Sequence, residues 1–197
     1  MFLRYRDAAP RDLDLVLIGT PAIPIPSDSR IRHLGYVSDQ DKFDVLAAAE
    51  ALVVPSYFES LSMAALEAWA LGRPVIANAK CDVLHGQCIR SNGGLYYDHA
   101  ADFAAALDRL LDDRALAAVL GRNGRQYFDR HYSWPVIERK YLEMFDRLAA
   151  EPAPRRMEPL PGWFARRRPD VPAALDVVAS LPSGPTRDYH ASSEVPA

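Results

Sequence analysis

The sequence predicts an α/β fold, a parallel sheet with flanking helices, followed by a disordered C-terminal tail. Three observations carry that expectation. Short apolar runs recur at Leu13–Ile18, Ile31–Gly35, Ala51–Val54, Pro74–Ala77 and Gly94–Tyr97, each bounded by loop or cap residues. Segments of helical spacing lie between several of them, and such alternation argues for a parallel sheet covered on both faces. From Glu151 the character changes, because nine of the sixteen prolines fall there beside arginine runs and small polar residues. That composition cannot bury enough apolar surface to offset its ordering entropy. The expected organisation is one domain over 1–150 and a Pro/Arg-rich tail over 151–197.

Taken in order, Phe2, Leu3 and Tyr5 form a short apolar set among arginines that reads as the end of a helix, closed by Pro10. Leu13 to Ile18 is a compact apolar run ending in Gly19, which predicts a buried strand. Pro21, Pro24 and Pro26 make residues 20–30 a loop. After the strand at Ile31–Gly35, Ser38 with Asp41 three residues on gives a capping-box pattern. The helix it opens runs to about Glu50, with Phe43, Leu46 and Ala47 on its inner face. Ala51–Val54 is the next strand, then a loop and helix, then the strand Pro74–Ala77. Residues 78–92 read as a loop with a short helix, and Gly94–Tyr97 as the last strand. Helical spacing follows through Phe103, Leu107, Leu110, Leu111, Leu116, Val119 and Leu120. Ser133 is placed to cap a final helix with Pro135 near its start, in which Ile137, Tyr141, Leu142, Phe145 and Leu148 keep helical spacing.

Composition narrows the function classes. A hydrophobic fraction of 49% supports a packed core, and a net charge of −3 gives no reason to expect nucleic-acid binding. No apolar run approaches the ~20 residues of a membrane-spanning helix. Two cysteines, Cys81 and Cys88, and no secretory signal in MFLRYRDAAP predict reduced thiols and a cytoplasmic protein. Cys81, His85 and Cys88 have no obvious fourth partner, so a metal site is not expected. Phosphoacceptor signalling would need acidic residues clustered at strand ends, and none are grouped there.

The stretch PSYFESLSMAALEAWALGRPVIA, Pro55 to Ala77, carries the most chemistry. Glu59 falls where the loop opens the helix, and Glu67 lies eight positions on, well inside it. The amides of Ser60, Leu61, Ser62 and Met63 are then expected as unpaired donors at a helix N-terminus. Free N–H groups and the helix dipole both favour an anion there. At about 1.5 Å per residue the two glutamates would lie roughly 9–12 Å apart. A ligand with hydroxyls at both ends and phosphate between them fits that layout, as a nucleotide-sugar does.

This segment resembles the Glu-x7-Glu motif of retaining glycosyltransferases of the GT-B fold, particularly glycosyltransferase family 4. The similarity includes VVPS before Glu59, the EAWALGRPVIA continuation, and the flanking blocks LVLIG, HLGYVSDQDK and LGRNGRQYFDRHYSW. It covers about residues 13 to 148 in the family's order. The resemblance implies the Rossmann-like C-terminal, donor-binding domain of such an enzyme, and transfer of a sugar from a nucleoside-diphosphate sugar to an acceptor hydroxyl with retention at the anomeric carbon. It implies no cofactor and no obligatory metal, because helix amides and basic residues do the work a metal does elsewhere.

Carried over by residue, Glu59 would act at the donor sugar near its anomeric carbon, and Glu67 would accept hydrogen bonds from the ribose hydroxyls. Alternatively, Glu59 complements the helix dipole, worth about 0.3–1 kcal/mol, and Glu67 sits on a solvated face. Ser60, Leu61 and Ser62 replace the family's Gly-Phe-Gly stretch, whose amides, with Met63, hold the diphosphate. Ser62 would either donate its hydroxyl to the donor or serve as an ordinary helix-start serine. Gly19 would leave room for the nucleotide, although Thr20-Pro21 stands where a second glycine is usual. Gly35, Tyr36 and Val37 would line the base pocket, mostly through their backbone; alternatively, Gly19 and this turn are ordinary strand-end turns. Asn78 and His85 sit where the family's loop faces the sugar.

The family's first strand of this domain, with the arginine and lysine that neutralise the diphosphate, has no counterpart here. Arg30, Arg32 and Lys80 are the substitutes at hand, with no motif behind them. A missing central strand would leave an exposed sheet edge. The expected partners are a nucleotide-sugar and an N-terminal domain or partner subunit. The tail segment Pro161-Gly162-Trp163-Phe164 beside Arg166–Arg168 is a candidate for peripheral contact with the inner membrane face. The rival to an enzyme is a truncated remnant or a non-catalytic nucleotide-sugar-binding module.

Overall fold

The structure is a computed structural model that describes residues 1–9, 11–151 and 174–180. In chain order the elements are α1 (Phe2–Ala8), β1 (Leu15–Leu17), β2 (Ile31–His33), α2 (Asp39–Ala48), β3 (Leu52–Val54), α3 (Met63–Ala70), β4 (Val75–Asn78), α4 (Asp82–Ser91), β5 (Gly94–Tyr97), α5 (Ala100–Asp112), α6 (Arg114–His131), α7 (Trp134–Ala150) and α8 (Ala174–Ser180). One compact unit spans Met1–Phe145 and a second begins at Asp146. All strand pairings are parallel, as the alternating pattern predicts.

Side-chain alternation in the central strands builds two apolar layers. Leu52, Val54, Val75 and Ala77 face one side with Ala65, Leu66 and Trp69 of α3 and Leu84 and Cys88 of α4. Ala51, Val53 and Ile76 face the other, with Tyr5 of α1 and Phe103, Leu107 and Leu110 of α5. Tyr5 also donates its hydroxyl to Asp108 of α5 at 2.6 Å, which fixes α1 on that side. Burial and this bond to a carboxylate push the Tyr5 hydroxyl up to about 12.

The strands form two sheets rather than one, β1-β2 and β3-β4-β5. The Leu15 amide donates to Arg30 and the Leu17 carbonyl accepts from Leu34, so Val16 turns its backbone polar groups away from β2. On β3, Leu52 donates to Pro74, which leaves Val53 facing away from β4. Among the described residues, the exposed sheet edge expected from the sequence is therefore present twice. It also explains why Leu13–Ile18 is not the buried strand its composition predicts. With one neighbour only, β1 stays half-buried, and Val16 and Ile18 are exposed.

Other expectations shift for local reasons. Residues 78–92 hold a ten-residue helix, α4, ended by Asn92 in the left-handed region at φ 45°. The helical run after Ala100 breaks at Asp113, whose side chain accepts from the Leu116 amide and caps α6. Val119 faces solvent. Ser133 does not cap α7 with its hydroxyl, which donates back to the Asp129 carbonyl of α6 at 2.8 Å. The apolar positions of α7 keep their spacing, yet none is buried. Within the segment expected to be disordered, Ala174–Ser180 is helical, with Asp176 in its first turn. Trp163, Phe164 and Arg166–Arg168 lie outside the described residues.

Packing of α3 against α6 allows no added volume. A Cβ at Gly124 would lie 2.0 Å from the Trp69 ring, and one at Gly121 would lie 2.0 Å from the Gly72 carbonyl. Gly124→Ala is therefore expected to cost about 1–3 kcal/mol by overpacking, read from the urea midpoint. Two free strand edges predict self-association of the purified chain. Light scattering after size exclusion is expected to give a mass above 21.9 kDa; a monodisperse monomer refutes it.

Candidate functional site

Parallel strands present their carboxyl ends on one side of a sheet, which is where open α/β sheets bind ligands. The loops at these ends carry the residues singled out from the sequence. At the end of β1, Gly19 takes φ 105°, and at the end of β2, Gly35 takes φ 68°, both left-handed conformations that favour glycine. The Gly19 amide donates to the Gly35 carbonyl at 2.7 Å, so the two turns form one rim. The His33 ring nitrogen Nε2 meets the Gly19 carbonyl at 2.8 Å and holds the rim from below. No atom lies within 4 Å of a Cβ built on either glycine. Tyr36, next on this rim, is 92% exposed, and Val37 is half-buried.

The second wall is the loop from β3 to α3. Helix α3 starts at Met63 with Ser62 as its N-cap, so Glu59 lies three residues before the cap rather than at the helix opening. The Ser62 hydroxyl accepts from the Ala65 amide at 3.4 Å and is buried. The Leu66 amide is taken by the Ser62 carbonyl. Those of Ser60, Leu61, Ser62 and Met63 donate to no group among the described residues. Ser60 and Leu61 are thus loop amides in front of the helix, and Met63 is its first residue. Glu59 is half-buried and makes no hydrogen bond or ion pair among the described residues. Phe58 beside it is 93% exposed.

Burial along α3 fixes where Glu67 points. Ala65, Leu66, Ala68 and Trp69 are buried against β3, β4 and α6, leaving Glu67 on the opposite stripe with Met63 and Ala64. There its Oε1 accepts from Lys42 Nζ of α2 at 2.9 Å. This hydrogen bond is the main cause holding Lys42 above its ordinary value. Lys42 also lies 3.3 Å from Asp39 and 4.6 Å from the centre of the Phe43 ring. Because α2 begins at the Ser38 cap, directly after Tyr36 and Val37, the pair ties the glycine rim to the Glu67 helix. Nothing in the spacing of the sequence connects residues 42 and 67, and Lys42 is the site residue that sequence reasoning misses. Its one trace there is the last letter of the HLGYVSDQDK block.

Other candidates have structural duties. Asn78 is buried, donates to the Pro55 carbonyl at 3.2 Å and accepts from the Lys80 amide, which steadies the start of the motif loop. His85 stacks on Tyr96 at 4.3 Å between ring centres. Cys81 and Cys88 are buried free thiols, and burial pushes Cys88 up to about 12. No group of His, Cys, Asp or Glu suited to hold a metal occurs among the described residues. The three candidate cations are each paired: Arg30 with Asp7 and Asp28, Arg32 with Asp14, Lys80 with Asp98. A cleft of about 590 Å³ between α1, the β1-β2 pair and the proline loop takes in Gly19, Thr20 and Pro21 but neither motif glutamate.

Residues 2–113 match the family described as Glycosyl transferases group 1. The chain belongs to that family. Among curated relatives, it is 29% identical to the MMP alpha-(1->4)-mannosyltransferase of Mycolicibacterium hassiacum, with 73% of this chain and 38% of that protein covered. It is 32% identical to the D-inositol 3-phosphate glycosyltransferase of Salinispora tropica, over 76% of this chain and 34% of that protein. The chain thus spans about a third of the length of these two relatives. Its fold is that of GT-B glycosyltransferases. Sucrose-phosphate synthase of Thermosynechococcus elongatus superposes with a TM-score of 0.59 at 24% identity, covering 75% of this chain and 49% of that one. Anabaena HepE in complex with UDP-glucose superposes with a TM-score of 0.62 at 15% identity, covering 74% and 44%.

Glu67→Gln keeps the size of the side chain and removes its charge. Because the Lys42–Glu67 pair is partly exposed, the substitution is expected to change stability by under about 1 kcal/mol in urea unfolding. A larger loss would mean that the pair is principally structural.

Proposed function

We propose that this chain is the donor-binding half of a retaining glycosyltransferase of the family 4 type. The observation that carries this reading is the layout of the α3 entrance. A carboxylate at Glu59 and a run of amides from Ser60 to Met63, both without partners among the described residues, and the acceptor oxygens of Glu67 follow one another along one loop and helix. A nucleoside-diphosphate sugar has matching groups in the same order: sugar hydroxyls, diphosphate, ribose hydroxyls. Free amides at a helix start suit the diphosphate, and an ionised carboxylate suits two hydroxyl donors. Gly19 would give the nucleotide room, with Tyr36 and Val37 beside the base. The solved HepE complexes hold UDP and UDP-glucose, which makes a nucleotide-sugar a natural ligand for a shared fold.

In this reading the diphosphate leaves as charge builds on it, and the amides ahead of α3 stabilise that charge without a metal or cofactor. Glu59 holds the sugar near its reacting carbon, and the acceptor hydroxyl attaches on the face the diphosphate vacates while its proton passes to the departing diphosphate oxygen, so configuration is retained. Acceptor groups and the remaining cations come from an N-terminal domain or a partner subunit. We assign the protein to the cytoplasm, with the tail sequence Pro161-Gly162-Trp163-Phe164 beside Arg166–Arg168 as a candidate for peripheral contact at the inner membrane face. A second reading, a nucleotide-sugar-binding module without transfer activity, draws on the candidate cations, since Arg30, Arg32 and Lys80 each already have a carboxylate beside them.

Calorimetry of the full chain against UDP-glucose and GDP-mannose tests the donor site. Saturable binding of one of them, lost or weakened at least tenfold in Glu67→Ala, is the expected result. No binding to the wild-type chain removes the reading. Binding without sugar transfer to any added acceptor hydroxyl would favour the module.

A further inference from the structure

The Glu67 carboxylate receives one hydrogen bond among the described residues, from Lys42 to Oε1, and Oε2 receives none. A carboxylate offers about four lone-pair positions, so one is filled by the ammonium and the rest have no partner among the described residues. Glutamate is a rotamer-rich side chain, and ordering it on ligand binding costs affinity. Here that ordering is done in advance by a group on a different helix. Lys42 is itself held at three points: the Glu67 oxygen, the Asp39 carboxylate at 3.3 Å and the face of Phe43 at 4.6 Å. Its element, α2, starts at the Ser38 cap, whose hydroxyl accepts from the Asp41 amide at 3.1 Å. The ammonium therefore transmits the position of the Tyr36–Val37 turn to the carboxylate on α3.

We propose that Lys42 is a positioning residue, which presets the Glu67 carboxylate for a vicinal diol of the ligand and sets the spacing between the two walls. The proposal rests on the donor-site reading above. It assigns Lys42 no contact with the ligand. Removing the ammonium frees the Glu67 side chain, and the diol then has to order it. A cation that only held the helices together would weaken every ligand alike. A positioning cation weakens the contribution of the diol in particular.

The test compares UDP with 2′,3′-dideoxy-UDP by calorimetry, in the wild-type chain and in Lys42→Met, Lys42→Arg and Glu67→Gln, with the melting temperature of each as a folding control. The wild type is expected to prefer UDP, and Glu67→Gln to lose that preference. Lys42→Met is expected to reduce the preference roughly two- to tenfold, the loss from one side chain no longer ordered in advance. Its affinity for the dideoxy compound should stay near the wild-type value, and Lys42→Arg should restore most of the preference. If Lys42→Met fails to fold, Lys42→Gln replaces it with the same expectation. A preference that survives in the Lys42 variants while Glu67→Gln loses it overturns the role of Lys42 and leaves the donor site standing. Equal loss for both ligands also overturns it, in favour of a purely structural ion pair. A wild type that prefers guanine is tested with GDP and its 2′,3′-dideoxy analogue in the same way, and binding of neither the uridine nor the guanosine compounds overturns the donor-site reading and the inference with it.

Discussion

The position of Trp69 is the constraint on which the site depends. The indole is fully buried, donates its Nε1–H to the Gly93 carbonyl at 2.8 Å, and meets Tyr127 edge-on at 5.7 Å. Gly124 lies directly against its ring and Gly121 against the turn that ends α3. A side chain of this size with its polar atom satisfied leaves α3 one rotation about its axis. Glu67, two residues before Trp69, then has to project from the opposite stripe, and the free amides at the other end of α3 have to face the strand ends. Arg125 adds a bond from α6 to the Ala70 carbonyl, close to the helix terminus that needs a donor.

A site built this way divides the work between rigid and open parts. The inner face of α3 and the strands β4 and β5 are buried and packed, while the loops at the strand ends hold few internal bonds. Gly19 and Gly35 bend away in left-handed conformations with empty space where a side chain would stand. Glu59, Phe58 and Tyr36 make no hydrogen bond among the described residues and stay accessible. Such groups cost little to leave hydrated and have much to gain from a ligand, whereas the buried Asn78 is already committed to holding Pro55. The cations show the same commitment: each of Arg30, Arg32 and Lys80 has a carboxylate beside it, so an incoming diphosphate would compete with an aspartate for any of them.

Much of the fold was legible because local chemistry and global position agree. β5 falls at Gly94–Tyr97 as read, and Ser38 caps α2 through the Asp41 amide as its pattern requires. The misreadings share a cause. Ser133 stands between two helices and serves the earlier one, a choice that no local rule decides. Leu13–Ile18 looks buried by composition, yet burial of a strand depends on how many neighbours it has, and β1 has one. In α7 the helical spacing was right, but spacing alone does not supply a surface to cover it.

The sequence by itself determined the class of fold, the family and the order of the chemical groups from Glu59 through the loop to Glu67. These are properties of short range, set by backbone propensity, apolar period and the residues of one continuous segment. Tertiary structure decided where those groups point and what already occupies them. It placed Lys42 on Glu67 across 25 residues of chain, split the strands into two sheets, and put the cap of α3 three residues beyond Glu59. The first two outcomes depend on relations between elements distant in sequence, which no local preference decides, and the third on which residue of the loop caps the helix, here Ser62.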